Sequence, residues 1–192
     1  MKNIVLFGPP GAGKGTQSDK IIEKYNLTHI STGDLFRKHL SEGTQLGMIA
    51  KTYMDEGNLV PDEVVIKMVE LVIAECIDCP GVIFDGFPRT VNQAIALDEM
   101  LKRWHESISG MILLDVEEEE LKNRILLRGK TSGRNDDQDM DKINNRIHVY
   151  KEETLPVANY YKSQSKLSIV NGVGSVDEIF GDLCRILDNL PG

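Results

Sequence analysis

The chain has 192 residues, a length that fits one α/β domain and can bury a core without disulfides or a structural metal. Apolar residues make up 41% of it and charged residues 27%, which is ordinary for a soluble protein. The formal net charge of −8 argues against nucleic acid or an anionic membrane as a partner. Phosphate ligands stay open, because they need only local positive charge.

The sequence shows no segment that would direct it to a membrane or out of the cell. No apolar run approaches the length of a transmembrane helix, and the apolar residues 4–7 are too few for a signal peptide. The three cysteines, Cys76, Cys79 and Cys184, are sparse and odd in number, which suits a reducing compartment. The first two have no second pair to complete a tetrahedral site, so we interpret them as structural thiols. We therefore expect a cytoplasmic protein.

Five short apolar segments are predicted to be buried strands. They are residues 4–7, 28–30, 82–85, 111–115 and 167–170. Stretches with helical spacing lie between or after them, among them 64–74 and 176–187. This alternation predicts an α/β fold, a three-layer sandwich in which helices flank a five-stranded parallel sheet. Ligands in such folds bind beyond the carboxyl ends of the strands.

A glycine-rich segment follows the first strand and opens a helix predicted to run to Tyr25. It reads Gly8-Pro9-Pro10-Gly11-Ala12-Gly13-Lys14-Gly15-Thr16. In such loops the backbone N–H groups and the helix N-terminus bind phosphate, and the lysine reaches the outer phosphates. The general pattern has Ser or Thr directly after the lysine, whereas here Gly15 intervenes before Thr16. The motif predicts nucleotide binding but no particular reaction.

Two other classes of protein share this type of loop. A GTPase switch normally carries Asn-Lys-x-Asp for guanine, and no Asn-Lys pair occurs in this chain. A non-catalytic nucleotide-binding module would not need the arginines described below. Both classes remain alternatives to an enzyme, and both are less favoured by these features.

Two stretches interrupt the alternation of strands and helices. Residues 31–60 contain helical segments that four glycines are predicted to break: Gly33, Gly43, Gly47 and Gly57. Residues 129–139 are polar and contain two glycines. By composition alone both stretches are typical of surface loops. The acidic run 117–120 after the fourth strand is typical of a helix start, where negative charge complements exposed N–H groups.

The third strand ends in a carboxylate, Asp85, and Gly86-Phe87-Pro88-Arg89-Thr90 follows it. An acid at this end of a strand beside the glycine-rich loop is positioned to hold Mg²⁺, directly or through water. Arg89 is expected to face the same cleft, where the fork of N–H donors on its guanidinium suits a second phosphate.

Five motifs in this order closely resemble the adenylate kinases, and the resemblance covers nearly the whole chain. They are residues 8–16, 31–37, 57–62, 85–89 and 133–137. The resemblance implies a single P-loop kinase domain, 1–192, that transfers the terminal phosphoryl group of Mg·ATP to AMP. Within it, 31–60 would be an AMP-binding insert and 127–139 a short lid over ATP.

The resemblance also implies roles for individual residues. Those expected to contact ATP are Gly11, Ala12, Gly13, Lys14, Gly15, Thr16, Arg124, Arg128 and Gly174. Those expected to contact AMP are Thr32, Arg37, Met54, Asn58, Leu59, Val60, Gly86, Phe87, Pro88, Arg89, Gln93, Arg134 and Arg146, with Gln93 bonding the adenine. Catalysis would fall to Lys14, Arg89, Arg128, Arg134 and Arg146, and Asp85 would hold Mg²⁺, through water. Taken alone, each arginine would be interpreted as a surface salt bridge.

The lid and two threonines distinguish branches of this family. Residues 129–139 contain no cysteine or histidine, whereas the long-lid bacterial form often carries four metal ligands there, so structural zinc is not expected. A UMP/CMP kinase is the alternative within the class. It commonly has Ala where this chain has Thr32 and Asn where it has Thr90, so both positions favour AMP. At this size the family is usually monomeric.

Overall fold

The computed structural model describes residues 1–76, 79–132 and 134–191, with the side chain of Asn135 left out. Its strands are β1 (Lys2–Phe7), β2 (Thr28–Ser31), β3 (Gly81–Asp85), β4 (Gly110–Asp115) and β5 (Leu167–Asn171). They form one sheet in the order β2-β3-β1-β4-β5, and every neighbouring pair is parallel. Each strand contains its predicted segment and extends it by two residues or fewer. The predicted five-stranded parallel sheet is confirmed.

Helices connect and cover the strands. They are α1 (Lys14–Tyr25), α2 (Thr32–Ser41), α3 (Gln45–Met54), α4 (Asp62–Ala74), α5 (Val91–Arg103), α6 (Glu118–Ser132), α7 (Met140–Val149), α8 (Pro156–Ser163) and α9 (Val176–Leu187). A π-helical turn, Tyr150–Thr154, joins α7 to α8, and a 3-10 turn spans Asn135–Asp137. Side chains also fix the start of α9, where Ser175 and Glu178 form a capping box. The acidic run lies in the first turn of α6, as predicted.

The core lies in two layers, one on each face of the sheet. Along β1, Ile4 and Leu6 pack with α1 and α9, whereas Val5 and Phe7 pack with α4, α5 and α8. These four side chains are buried, with exposed fractions of 4% or less. Parallel strands covered on both faces read as continuous apolar runs, which is why the sequence showed them clearly. The three-layer sandwich is confirmed.

The register of the sheet brings two sequence motifs to one edge. β1 and β3 are neighbours, and Leu6 pairs with Asp85 near the carboxyl ends of both strands. The glycine-rich loop after β1 therefore starts beside that carboxylate. β1 is also where the strand order reverses, with β3 on one side and β4 on the other. A crevice forms at such a reversal, and the candidate site lies there.

The prediction that Gly33 and Gly47 break helices is wrong. Gly33 lies inside α2 and Gly47 inside α3. Packing explains Gly47, because a Cβ there would lie 2.4 Å from backbone atoms of His39 and Leu40. Gly43 and Gly57 do follow the helix ends, with φ of 66° and 78°. The glycine count alone could not separate close helix contact from helix termination.

The polar stretch 129–139 is more regular than its composition suggested. α6 continues to Ser132, so Gly129 is a buried helical residue, and the 3-10 turn follows. A Cβ on Gly129 would lie 2.6 Å from the carbonyl oxygen of Asp137. This glycine therefore lets the turn pack onto the helix. Gly133, also part of the predicted lid motif, lies outside the described residues.

Within the described ranges, no helix is both long enough and apolar enough to cross a membrane.

Substitution of Gly47 tests the close packing of α2 against α3. Gly47→Ala should lower the free energy of unfolding by about 1–3 kcal/mol, because the new methyl group overlaps backbone atoms. Gly181→Ala is the matched control: its position is helical, exposed and open, so the change should stabilise the protein by up to ~1 kcal/mol. Urea unfolding measures both values. Equal effects of the two substitutions would contradict the packing argument.

Candidate active site

The glycine-rich loop is shaped by two different constraints. Gly13, which precedes α1, has a φ of 94° and open space around it, so backbone conformation requires the glycine. Gly11 has a φ of 84°, and a Cβ there would also lie 2.8 Å from Cγ1 of Ile125 on α6. The loop thus packs tightly against α6 on one side and opens to the crevice on the other.

Lys14 lies at the start of α1 and curls back over the loop. Its Nζ donates to the carbonyl oxygens of Gly8 at 2.8 Å and Pro9 at 3.1 Å. Desolvation in the cleft lowers the pKa of Lys14 to about 8, which Asp85 opposes and nearby arginines reinforce. The ammonium is therefore held by neutral carbonyls among other cations. A phosphate anion would relieve this unfavourable arrangement.

Asp85 ends β3 and lies near His29 on β2, with 3.8 Å between His29 Nε2 and Asp85 Oδ2. Burial raises the pKa of Asp85, but His29, Lys14 and Arg89 outweigh burial and hold the pKa below its ordinary value. The carboxylate is therefore ionised at neutral pH. A hard oxygen donor of this kind suits Mg²⁺.

Basic side chains converge on one cleft of about 540 Å³ at this edge of the sheet. Those that line it are Lys14, Arg37, Arg89, Arg124, Arg128, Arg134 and Arg146. The acids that line it are Asp34, Asp85 and Asp136. Positive charge therefore dominates the cleft of a chain whose formal net charge is −8.

Burial and the crowding of these cations lower the pKa of two of them. Burial and the neighbouring Arg146 lower the pKa of Arg89, which Asp85 only partly offsets. Burial, followed by Arg37 and Arg128, lowers the pKa of Arg134. Guanidinium groups remain charged despite such shifts. Negative charge bound in the cleft would offset this repulsion between the guanidinium groups.

Two aspartates hold part of this cluster in place. Asp137 is fully buried and accepts hydrogen bonds from Arg128 Nε at 2.7 Å, from Arg128 Nη2 at 2.8 Å and from Arg146 Nη1 at 2.7 Å. Asp136 pairs with Arg146 at 2.8 Å. Burial raises the pKa of Asp137, but the two arginines outweigh it and keep the pKa below its ordinary value. The guanidinium groups are thereby oriented without a ligand.

A second, smaller cavity of about 40 Å³ opens beside the cleft. It is lined by Thr32, Gly33, Phe36, Met54, Asn58, Leu59, Val60, Val65, Gly86, Arg89 and Gln93. The Gly86 carbonyl oxygen accepts hydrogen bonds from Thr32 Oγ1 at 2.7 Å and Arg89 Nε at 2.8 Å. Gly86 has a φ of 73°, and a Cβ there would lie 2.8 Å from Arg89 Nη2. Apolar side chains and a few polar groups line this cavity together, a combination typical of small-molecule pockets.

Comparison with known proteins agrees with this geometry. The adenylate kinase family model matches residues 6–166. An adenylate kinase of Flavobacterium psychrophilum is 52% identical over 190 residues, which cover 99% of this chain and 100% of that protein. Adenylate kinases of Bacteroides fragilis (50% over 190 residues; 99% and 100% covered) and Leptospira biflexa (50% over 187 residues; 96% and 99% covered) are similar to it as well.

The chain belongs to the adenylate kinase family. The resemblance stated from its five motifs is thereby confirmed over nearly its full length.

Most residues assigned from the resemblance to adenylate kinases lie around the two cavities, and three do not line them. Ala12 and Phe87 are buried at 2% and 1% exposure, so only their backbones could face a ligand. Gly174 lies in the exposed loop after β5. Arg124 reaches toward that loop, because its Nη1 donates to the Gly172 carbonyl oxygen at 3.0 Å.

Arg37 and Gln93, both predicted to contact AMP, also have protein partners. Arg37 forms an ion pair with Asp34 on the same helix. Gln93 is 1% exposed and uses both ends of its side-chain amide for hydrogen bonds within the protein. A ligand would therefore have to share these groups with the protein.

Several residues of this adenylate kinase site received no role from the sequence. The most important of them is Asp137, which binds two of the arginines. Its position in an acidic pair shortly after Arg134 could have indicated such a role. His29 beside Asp85 gave none, because a lone histidine in a strand is usually a core residue. Tyr150 and Thr154, which line the cleft, come from the π-helical turn, a feature that side-chain periodicity does not predict.

Over the ranges that the structure describes, no group of three or more His, Cys, Asp or Glu side chains is arranged to hold a metal ion. The expectation about structural zinc stays a prediction. Cys79, from the cysteine pair, instead accepts a hydrogen bond from Thr28 Oγ1 at 3.0 Å.

The lowered pKa of Lys14 predicts that ATP binding depends on pH. At about pH 8 half of the Lys14 side chains are neutral in the free protein, and the triphosphate favours the ammonium form. ATP binding at this pH should therefore take up about half a proton, and affinity should fall as pH rises further. Calorimetry in buffers of different ionisation enthalpy measures the uptake. Lys14→Arg stays charged and should abolish it; equal uptake in that variant would assign the proton elsewhere.

Proposed function

We propose that this member of the adenylate kinase family transfers the terminal phosphoryl group of Mg·ATP reversibly to AMP, giving two ADP, at the cleft described above. The observation that carries the proposal is the set of seven basic side chains lining one cleft beside a small, partly apolar cavity. A single nucleotide does not need so many cations. Two nucleotides that meet phosphate to phosphate do, because their charges repel each other.

ATP would occupy the side of the cleft formed by the glycine-rich loop. The backbone N–H groups of residues 11–16 and the start of α1 would hold its phosphates, with Lys14 on the outer ones. Arg124 and the Gly174 loop would lie toward the ATP base. Their link through Gly172 supports this assignment, since it joins α6 to the loop after β5.

AMP would occupy the other side. Its base would enter the small cavity between α2 and the loop after β3, lined by Thr32, Met54, Val60 and Gln93, while the backbone of residues 58–60 closes over it. Its phosphate would lie against Arg37 and Arg89 in the larger cleft. Gly86 and Arg89 line both cavities, so the base and phosphate of one nucleotide fit across their junction.

The chemistry then needs position and fixed charge rather than a general base. The phosphate of AMP is already an anionic nucleophile at neutral pH. Arg128, Arg134 and Arg146 would stabilise the charge on the phosphoryl group in transit, and Asp137 holds two of them in place beforehand. Preorganised groups of this kind supply much of the rate enhancement in phosphoryl transfer.

Asp85 fits a site for Mg²⁺, through water, because it is ionised, at the strand end and close to Lys14. When bound with ATP, the ion neutralises phosphate charge. We also propose that the protein is a cytoplasmic monomer, which sedimentation equilibrium would contradict by giving a multiple of the chain mass.

An acceptor panel tests the proposed reaction. With Mg·ATP, the protein should convert AMP to ADP and should give little diphosphate from UMP, CMP or GMP, as measured by chromatography of the products. A preference for UMP and CMP would indicate the UMP/CMP kinase alternative. Hydrolysis of ATP without any acceptor preference would indicate a P-loop switch instead.

Two pairs of variants separate the site from general effects on this reaction. Lys14→Ala and Arg89→Ala should lower turnover by several orders of magnitude while the thermal unfolding transition stays cooperative. Lys20→Ala, on the same helix as Lys14, and Arg103→Ala, at the end of the helix that follows Arg89, are matched controls, since their side chains pair with Asp177 and Glu70 at the surface. The controls should keep activity. Full activity of Lys14→Ala would refute its role.

Closure of the insert and the lid over the nucleotides would exclude water, the competing acceptor. The insert already touches α7, because Asn145 Nδ2 donates to the Glu56 carbonyl oxygen at 2.8 Å and to Asn58 Oδ1 at 2.9 Å. A non-hydrolysable ATP analogue with AMP should therefore slow hydrogen exchange in 31–60 and 127–139, while β1 and β4 keep their exchange rates. Unchanged exchange in both stretches would exclude closure.

A further inference from the structure

We propose that Asp62 is a specificity-determining residue, which selects AMP over purine nucleotides with a 6-oxo group by fixing the orientation of the Gln93 side-chain amide. The inference rests on the proposed function, in which the acceptor base occupies the small cavity. It concerns a residue that lies behind this cavity and does not line it.

Two hydrogen bonds link the start of α4 to the start of α5, and two more lie within residues 89–93 at the start of α5. Gln93 Nε2 donates to Asp62 Oδ1 at 2.8 Å, and Thr90 Oγ1 donates to Asp62 Oδ2 at 2.9 Å. The backbone N–H of Arg89 donates to Gln93 Oε1 at 2.7 Å. The backbone N–H of Gln93 donates to Thr90 Oγ1 at 3.1 Å. Both carboxylate oxygens of Asp62 and both ends of the Gln93 amide are thus engaged.

The direction of each of these bonds is fixed by chemistry. An ionised carboxylate only accepts, so the nitrogen of the Gln93 amide must face Asp62. A backbone N–H only donates, so the oxygen of the amide must face Arg89. Gln93 is 1% exposed, and solvent therefore offers no replacement partners for a flipped amide. If the amide rotated by half a turn, its nitrogen would face the Arg89 N–H, donor against donor, and its oxygen would face Asp62, acceptor against acceptor.

The fixed amide leaves one N–H and one oxygen lone pair for a ligand, since each end of the amide can make two hydrogen bonds. Gln93 lines the small cavity, so this donor and acceptor pair serves the base. The edge of adenine offers the complementary pair, an accepting ring nitrogen beside a donating amino group. Hypoxanthine, the base of IMP, has nearly the same shape but a carbonyl in place of the amino group and an N–H on the ring. With Gln93 fixed, the carbonyl of hypoxanthine would face the Gln93 oxygen, acceptor against acceptor, and its ring N–H would face the Gln93 N–H, donor against donor.

Replacement of Asp62 by Asn should weaken this selection. The Thr90 hydroxyl accepts from Gln93 N–H and still needs an acceptor, so the Asn oxygen would take the place of Asp62 Oδ2. The Asn amide nitrogen would then face the Gln93 amide. As a donor it would need the Gln93 oxygen as its acceptor. The Arg89 N–H donates to this same oxygen from the other side, so the two donors would compete for it. The orientation that favours adenine and the flipped one would become closer in energy.

The test compares AMP and IMP as acceptors for Mg·ATP. In Asp62→Asn the ratio of kcat/KM for IMP to that for AMP should rise about tenfold, the value of one hydrogen bond to a charged group. Glu63→Gln is the matched control, since Glu63 is the exposed neighbouring acid in the same helical turn and should leave the ratio unchanged. Where IMP turnover falls below detection, its inhibition constant against AMP replaces kcat/KM.

An unchanged ratio in a folded Asp62→Asn protein would overturn the proposal, because loosened structure alone would lower both specificity constants together. Should this variant fail to fold, Thr90→Val, which removes the donor to Asp62 Oδ2 together with the acceptor of the Gln93 N–H, must shift the ratio in the same direction, and Thr90→Ser, which keeps both bonds, must not. Failure of both shifts refutes the role of Asp62. Failure of the wild-type protein to phosphorylate AMP at all refutes the proposed function itself, so the two outcomes are distinguishable.

Discussion

Mutual repulsion among basic side chains is the constraint around which this site is arranged. Seven cations line one cleft, although acids outnumber bases in the chain as a whole. Without phosphates the cluster depends on a few carboxylates, above all the fully buried Asp137 between Arg128 and Arg146. A buried ion pair contributes little net stability, since desolvation offsets attraction. Its contribution here is orientation, because the guanidinium groups are fixed before any ligand arrives.

The sheet determines where that cluster forms. Neighbouring parallel strands end at the same edge, so the loop that carries Lys14 and the carboxylate of Asp85 meet there through backbone pairing alone. Arginines from α6 and α7 then reach the same edge from the opposite side of the crevice. Elements that are far apart in sequence thus converge on one small volume.

Much of this arrangement could be predicted from the sequence, and the remainder could not for physical reasons. The five strands were identified because buried parallel strands are continuously apolar, and the glycine-rich loop because few residue types tolerate its backbone. The positions of Gly47, Asp137 and Asp62 depend on contacts between elements that no local pattern records. Gly47 looked like a helix breaker because close packing and helix termination both use glycine. Asp62 lies in one of the five motifs but received no role from it, and its link to Gln93 appears only once α4 and α5 are adjacent.

Under the proposed function, phosphate and base would be recognised by different physical interactions, and the two meet at Arg89. Fixed charge attracts any phosphate and discriminates weakly, whereas directed hydrogen bonds from a buried amide discriminate between bases of equal shape. The Arg89 guanidinium belongs to the first system, and its backbone N–H orients Gln93 in the second. Its Nε also shares the Gly86 carbonyl oxygen with Thr32, which lines the base cavity. A displacement of this loop therefore moves phosphate and base contacts together.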